Sequence, residues 1–160
     1  MYITDDLLRQ GRYEEVVEVA DGVLQGEEPV LRVRAMVHHN RAHALARLGR
    51  YAEAQMATRV VLRAMPAYTF VVIDLFAWVA ASNGYHEHAA LLLGCSARVK
   101  RDRDVQDEGP ELALVQETTA ALRLKLGEHR VHTLMSQGAV MAVAGVLELL
   151  ARVAEPLAGD

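Results

Sequence analysis

Two stretches decide the fold: GRYEEVVEVADGVL, Gly11 to Leu24, and GRYAEAQMATRVVL, Gly49 to Leu62. A third, NGYHEHAALLLG, Asn83 to Gly94, carries the same turn at Gly84. The three turn glycines stand 38 and 35 residues apart. Glycine ends a helix well because it enters the left-handed C-cap conformation without a Cβ clash. The tyrosine two residues on is placed to plug the gap between the helix that ends and the one that begins. A small residue three further on, Ala54 in the second stretch, lets the two backbones approach. Extended outward, the pattern predicts helices over 4–10, 13–25, 30–48, 52–65, 68–82, 87–100, 111–126, 128–137 and 139–154. Pro29 and Pro110 fall at helix starts, and Gly26, Gly127 and the turn glycines at helix ends. RDRDVQDEG, Arg101 to Gly109, alternates in sign and reads as a solvated linker.

Helix–turn–helix units at intervals near ~34 residues resemble tetratricopeptide repeats. The second unit matches best: Ala42 and Leu45 in its first helix, Gly49 and Tyr51 at the turn, Ala54, Val61 and Leu62 in its second helix, Pro66 closing it. The first unit keeps Leu7, Gly11, Tyr13, Val23 and Leu24. The third keeps Ala77, Gly84, Ala89 and Leu93, with His86 in place of the aromatic plug. The resemblance implies an all-α fold, a tetratricopeptide-like right-handed superhelix of antiparallel helix pairs. It is read as one domain over 1–160: repeats over 1–100, linker over 101–110 and a C-terminal helical cap over 111–156.

The half from Phe76 onward resembles the helical-repeat region of large ATP-binding LuxR-type bacterial regulators. There a repeat turn leads to A-x-L-L-G, then a linker, an acidic helix, L-x-x-x-L-G and a helix ending in G-x-x-M. Ala90, Leu92, Leu93 and Gly94 match the first motif; Leu122, Leu126, Gly127 and Glu128 the second; Gly138 and Met141 the third. Leu134, Met135, Ala142 and Val143 depart from the aromatics and acidic helix start usual near the third. The family's ATPase module and terminal helix-turn-helix have no counterpart here, and no G-x-x-x-x-G-K-[ST] occurs. The resemblance implies a non-catalytic ligand-sensing or protein-interaction domain. A free-standing tetratricopeptide adaptor that binds a peptide or partner protein in its concave groove is the alternative.

Composition agrees with close-packed helices. Of 160 residues 52% are hydrophobic, mostly Ala, Val and Leu, and only 5% aromatic, which disfavours a β-sandwich. Seventeen Lys+Arg face 21 Asp+Glu, a net charge of −4, so direct nucleic-acid binding is not expected. One cysteine, Cys95, allows no internal disulfide and no multi-cysteine zinc site. FVVIDLFAWVAA, Phe70 to Ala81, and AVMAVAGVL, Ala139 to Leu147, are too short to span a bilayer. The N-terminus is acidic and amphipathic, unlike a signal peptide. A cytoplasmic location is expected.

Candidate function lies on one helical stripe. His39, His43 and Arg47 share a face at i, i+4 and i+8. The repeat carries that face to Asp74, Trp78 and Ser82 in the third unit and to Asp5 and Arg9 in the first. The eight are expected to line a solvent-facing groove for a protein or peptide partner or a small-molecule effector. His39 and His43 also have the spacing of a metal pair, with Asp74 as third donor. Arg41 and Arg47 oppose a cation there, and no metal or cofactor is expected. No acid, base or nucleophile constellation points to an enzyme. Trp78 on its apolar helix suits the core, and so does Cys95. Arg98, Lys100, Arg101 and Arg103 read as a helix end favoured by the dipole. The last helix, apolar all round at its start, is expected to meet a second copy through Gly138, Ala142 and Gly145, giving a homodimer.

Overall fold

The computed structural model describes residues 2–26 and 30–155; Pro29 and the end of the expected cap at Pro156 lie outside them. Among the described residues the chain is all-helical, with no strand. The helices are α1 (Tyr2–Arg9), α2 (Tyr13–Gln25), α3 (Leu31–Arg47), α4 (Tyr51–Ala64), α5 (Thr69–Ser82), α6 (His86–Asp102), α7 (Gly109–Leu126), α8 (Glu128–Ala139) and α9 (Val143–Val153), with a 3-10 turn at Pro66–Tyr68 before α5. They fall into two compact units, Met1–Val72 and Ile73–Asp160, divided within α5.

The repeated sequence is a repeated conformation. Gly11, Gly49 and Gly84 hold φ of 71°, 75° and 89°. After each, the next amide donates to the carbonyl five residues back: Arg12 to Leu7 at 3.0 Å, Arg50 to Leu45 at 2.8 Å and Tyr85 to Ala80 at 2.8 Å. Each glycine amide donates three residues back, which completes a Schellman cap. The residue that then starts the next helix has nearly the same backbone each time, φ/ψ −87/62 at Arg12, −86/58 at Arg50 and −83/57 at Tyr85. In the first two turns that arginine forks onto the glutamate three residues on, Glu15 and Glu53. In the third the same positions hold Tyr85 and His88, whose rings meet edge to face at 5.8 Å. One backbone device thus accepts an ion pair or an aromatic pair on its outside.

In the first unit α3 packs against α1, α2 and α4. Small side chains set the spacing: Ala42, Ala46 and Ala54 are fully buried, with Leu45 and Val61 beside them. Tyr13 and Tyr51 are half-buried, not buried as expected. Alanine-lined helices sit too close to admit a phenol, so the ring covers the seam from outside. Tyr51→Ala is therefore expected to destabilise by about 1–2 kcal/mol in urea unfolding, below the ~3–5 of a fully buried aromatic.

In the second unit α6 packs against α7, α8 and α9. Its crossing with α8 rests on two glycines. A Cβ on Gly94 would overlap the Met135 carbonyl, and one on Gly138 the Leu91 carbonyl. Each glycine thus sits on the residue three before the other, so the helices cross antiparallel with backbones in contact. Gly145, by contrast, has open space around it.

Two expectations change here. α6 runs on to Asp102, leaving 103–108 as the connection. It ends in the same cap as the repeats, with Asp104 at φ 53° in the glycine position and Val105 donating to the Lys100 carbonyl at 3.0 Å. Aspartate is among the few residues that tolerate this region. The run AVMAVAGVL is not one helix: Ala139 ends α8, and α9 starts only at Val143. α9 buries one face, Val146, Leu150 and Val153, and Asn83 Nδ2 donates to the Val153 carbonyl at 2.9 Å. Within the chain Gly138 meets α6 at Leu91, and Val146 is fully buried. Val146→Asp is expected to disrupt the core, whereas Val140→Asp, at a position 86% exposed, reports on association by light scattering while the helical spectrum stays unchanged.

Candidate functional site

The expected stripe divides between the two units, and much of it is covered. In the first unit His39 and His43 are buried, Asp5 and Arg47 half-buried and Arg9 exposed. Asn40, also buried, donates through Nδ2 to Thr4 Oγ1 at 2.8 Å and to Asp5 Oδ1 at 2.7 Å, tying α3 to α1. Arg9 faces Asp6 at 3.8 Å on the surface. His39 and His43 are not solvent-facing, because α3 is flanked on three sides within its own unit. In the second unit Asp74 is buried, Trp78 half-buried and Ser82 exposed. Trp78 Nε1 donates to Glu117 Oε1 at 2.8 Å, so the indole is a polar anchor as well as a packing residue. Among the described residues no three potential metal ligands gather.

His38, off the stripe, has both ring nitrogens buried without a hydrogen-bond partner. Burial first, then Arg34 and Arg41, hold its pKa below the ordinary value, against a smaller pull from Asp21. Asp21 itself pairs with Arg41 at 2.6 Å.

The chemically distinctive place is around Asp74. This carboxylate is the one charge of TFVVIDLFAWVAAS and is 1% exposed. Ser96 and Lys100, one turn apart on α6, share the face that meets it. Lys100 Nζ lies 2.6 Å from Asp74 Oδ2 and 2.7 Å from Asp107 Oδ2, and the Lys100 and Asp107 side chains are only 10% and 14% exposed. The Asp104 cap reverses the chain after α6 and brings Asp107 back to Lys100. Burial pushes the Asp74 pKa up to about 6, against the pull of Lys100 and of the Ser96 hydroxyl; Asp107 pushes the same way as burial.

A cleft of about 520 Å³ opens beside these groups. Its charged lining is Asp74, Lys100, Arg101 and Asp107. Its apolar walls include Leu93 from α6, Leu112 and Val115 from α7, and Met135 from α8. The arrangement holds charge in a half-dry cleft; it presents no nucleophile with an adjacent base. Cys95 is buried, with the Arg98 guanidinium 3.8 Å from its sulfur.

The sequence pattern puts Lys100 in a basic helix end favoured by the dipole and Asp107 in a solvated linker. Both are turned inward. The available signal was Asp74 itself: a carboxylate inside an apolar run needs a cationic or hydrogen-bonding partner somewhere in the fold.

No protein-family model, curated protein or solved structure matches the chain.

Proposed function

We propose that the chain is a non-catalytic ligand-sensing and protein-interaction domain of a LuxR-type bacterial regulator, built as a tetratricopeptide-like superhelix and acting in the cytoplasm. The observation that carries this reading is the pairing of Gly94 with Gly138. They are the glycines of the A-x-L-L-G and G-x-x-M motifs, and each needs the other's helix at backbone contact. Motif letters far apart in sequence thereby acquire one physical reason to occur together. The thrice-repeated Schellman turn supports the repeat part of the reading. In such a domain the helical units hold an effector or partner and bias the attached ATPase and DNA-binding modules.

The coding locus tests this. A P-loop ATPase segment upstream and a helix-turn-helix downstream, in the same reading frame or in an adjacent one, are the expected result. A solitary frame among unrelated genes overturns the regulator and leaves a free-standing adaptor.

A further inference from the structure

The trio of Asp74, Lys100 and Asp107 at the cleft of the second unit has an unbalanced charge. A buried carboxylate, Asp74, and a half-buried one, Asp107, share one ammonium, and both meet it through Oδ2. A largely buried trio of net charge −1 carries a desolvation cost that a further positive charge offsets. The remaining elements around the cleft do not supply it. Arg101 stands exposed on the rim, where water screens it. From α7 comes Thr119, whose hydroxyl already donates to the Val115 carbonyl at 2.8 Å, and from α8 comes Met135. Asp74 together with the segment from Lys100 to Glu111 contains three bases and six acids.

We propose that this cleft binds an organic monocation with an apolar body, an alkylamine or alkylguanidine, whose charged end pairs with Asp107, in the field of the buried Asp74, while its chain lies on Leu93, Leu112, Val115 and Met135. Asp107 Oδ1 is the acceptor left for the ligand once Oδ2 holds Lys100. An anion is disfavoured, since it must displace Asp107 from Lys100 and then face Asp74. The cleft volume suits a small organic ligand. The proton that Asp74 takes up near pH 6 supplies the same missing charge, so proton and ligand compete. The inference rests on the sensing reading above and names its ligand class.

Isothermal titration of the whole chain with octylammonium, octanoate and octanol tests it. Octylammonium is expected to bind one to one at pH 7.5, and octanoate and octanol at least about ten-fold more weakly, as a net anionic site requires. Competition with a proton near pH 6 weakens octylammonium about ten-fold at pH 5. Asp107→Asn is expected to lose about ten-fold in affinity at pH 7.5. Should that variant unfold, Leu112→Ser decides instead. Leu112 is 40% exposed on the cleft wall, so its replacement is expected to spare the fold and shorten the gain from the alkyl chain. Equal or tighter octanoate binding, no octylammonium binding, or unchanged affinity in the deciding variant overturns the site. Those outcomes leave the regulator reading standing, because the coding locus tests it separately.

Discussion

Gly94→Ala and Gly138→Ala are each expected to cost about 3–5 kcal/mol of unfolding free energy, above the usual range for overpacking, because what they meet is backbone. A new methyl group at either site lands on a carbonyl of the facing helix. A side chain could swing away; Met135 O and Leu91 O are fixed in their own helices' hydrogen bonds. Only separation of α6 from α8 relieves the overlap, and that opens the packing of Leu92, Leu93 and Leu134, all buried in the same unit. In glycine the Cβ direction holds a hydrogen, which points at that oxygen as a weak C–H···O donor. Trp78, the single tryptophan, lies in the second unit, so its fluorescence in urea reads this unit directly. Gly145→Ala is the control: it sits inside α9 with nothing within reach, and alanine is expected to stabilise by about 0.5–1 kcal/mol. The double variant at 94 and 138 should cost less than the two single variants combined, since one separation relieves both. A loss below about 0.5 kcal/mol in Gly94→Ala would mean that the helices do not cross at backbone contact.

The helix pattern was legible because it is local. Glycine turns, proline starts and apolar periodicity place the nine helices found among the described residues, with ends displaced by a few residues. What was not legible depends on neighbours distant in sequence. The i, i+4, i+8 spacing of His39, His43 and Arg47 says that they share a face, but not whether another helix covers it; the helices packed around α3 decide that. The alternating charges of 101–109 look solvated one at a time. Their role emerges only when the Asp104 cap turns Asp107 toward Lys100, and Lys100 toward Asp74 on another helix. AVMAVAGVL looked like one buried helix because composition carries no record of the crossing at Gly138, after which the chain must turn. Gly94 and Gly138 were visible as motif letters; their closeness to each other was not.

The stability of the chain is expected to fall by about 2 kcal/mol through Asp74 as pH rises from 4 to 6. The sign follows from proton uptake. Unfolded, Asp74 ionises near 3.8; folded, near 6, with burial the leading cause. Between those values the folded state holds a proton that the unfolded state has released, so raising the pH favours unfolding until Asp74 is ionised in both. Asp74→Asn removes this dependence while leaving an amide oxygen for Ser96 and Lys100, and is expected to be at least as stable as wild type at pH 7.5. Lys100→Met has the opposite consequence. It leaves the buried Asp74 and the half-buried Asp107 without their ammonium and is expected to cost about 3–5 kcal/mol at pH 7.5, with part of the loss recovered at pH 5 as Asp74 takes up its proton. His38 works against the Asp74 trend: its lowered pKa makes the folded state bind fewer protons than the unfolded state below pH 6.5, so its contribution is lost as pH falls. Because His38 is present in every variant, subtracting the Asp74→Asn profile from that of wild type isolates the carboxylate. Urea titrations followed by far-UV circular dichroism at pH 4.5, 6 and 7.5 supply the profiles. A difference that stays flat across this range would show that Asp74 ionises in the fold as it does in water, and the desolvation cost ascribed to its burial would then have no basis.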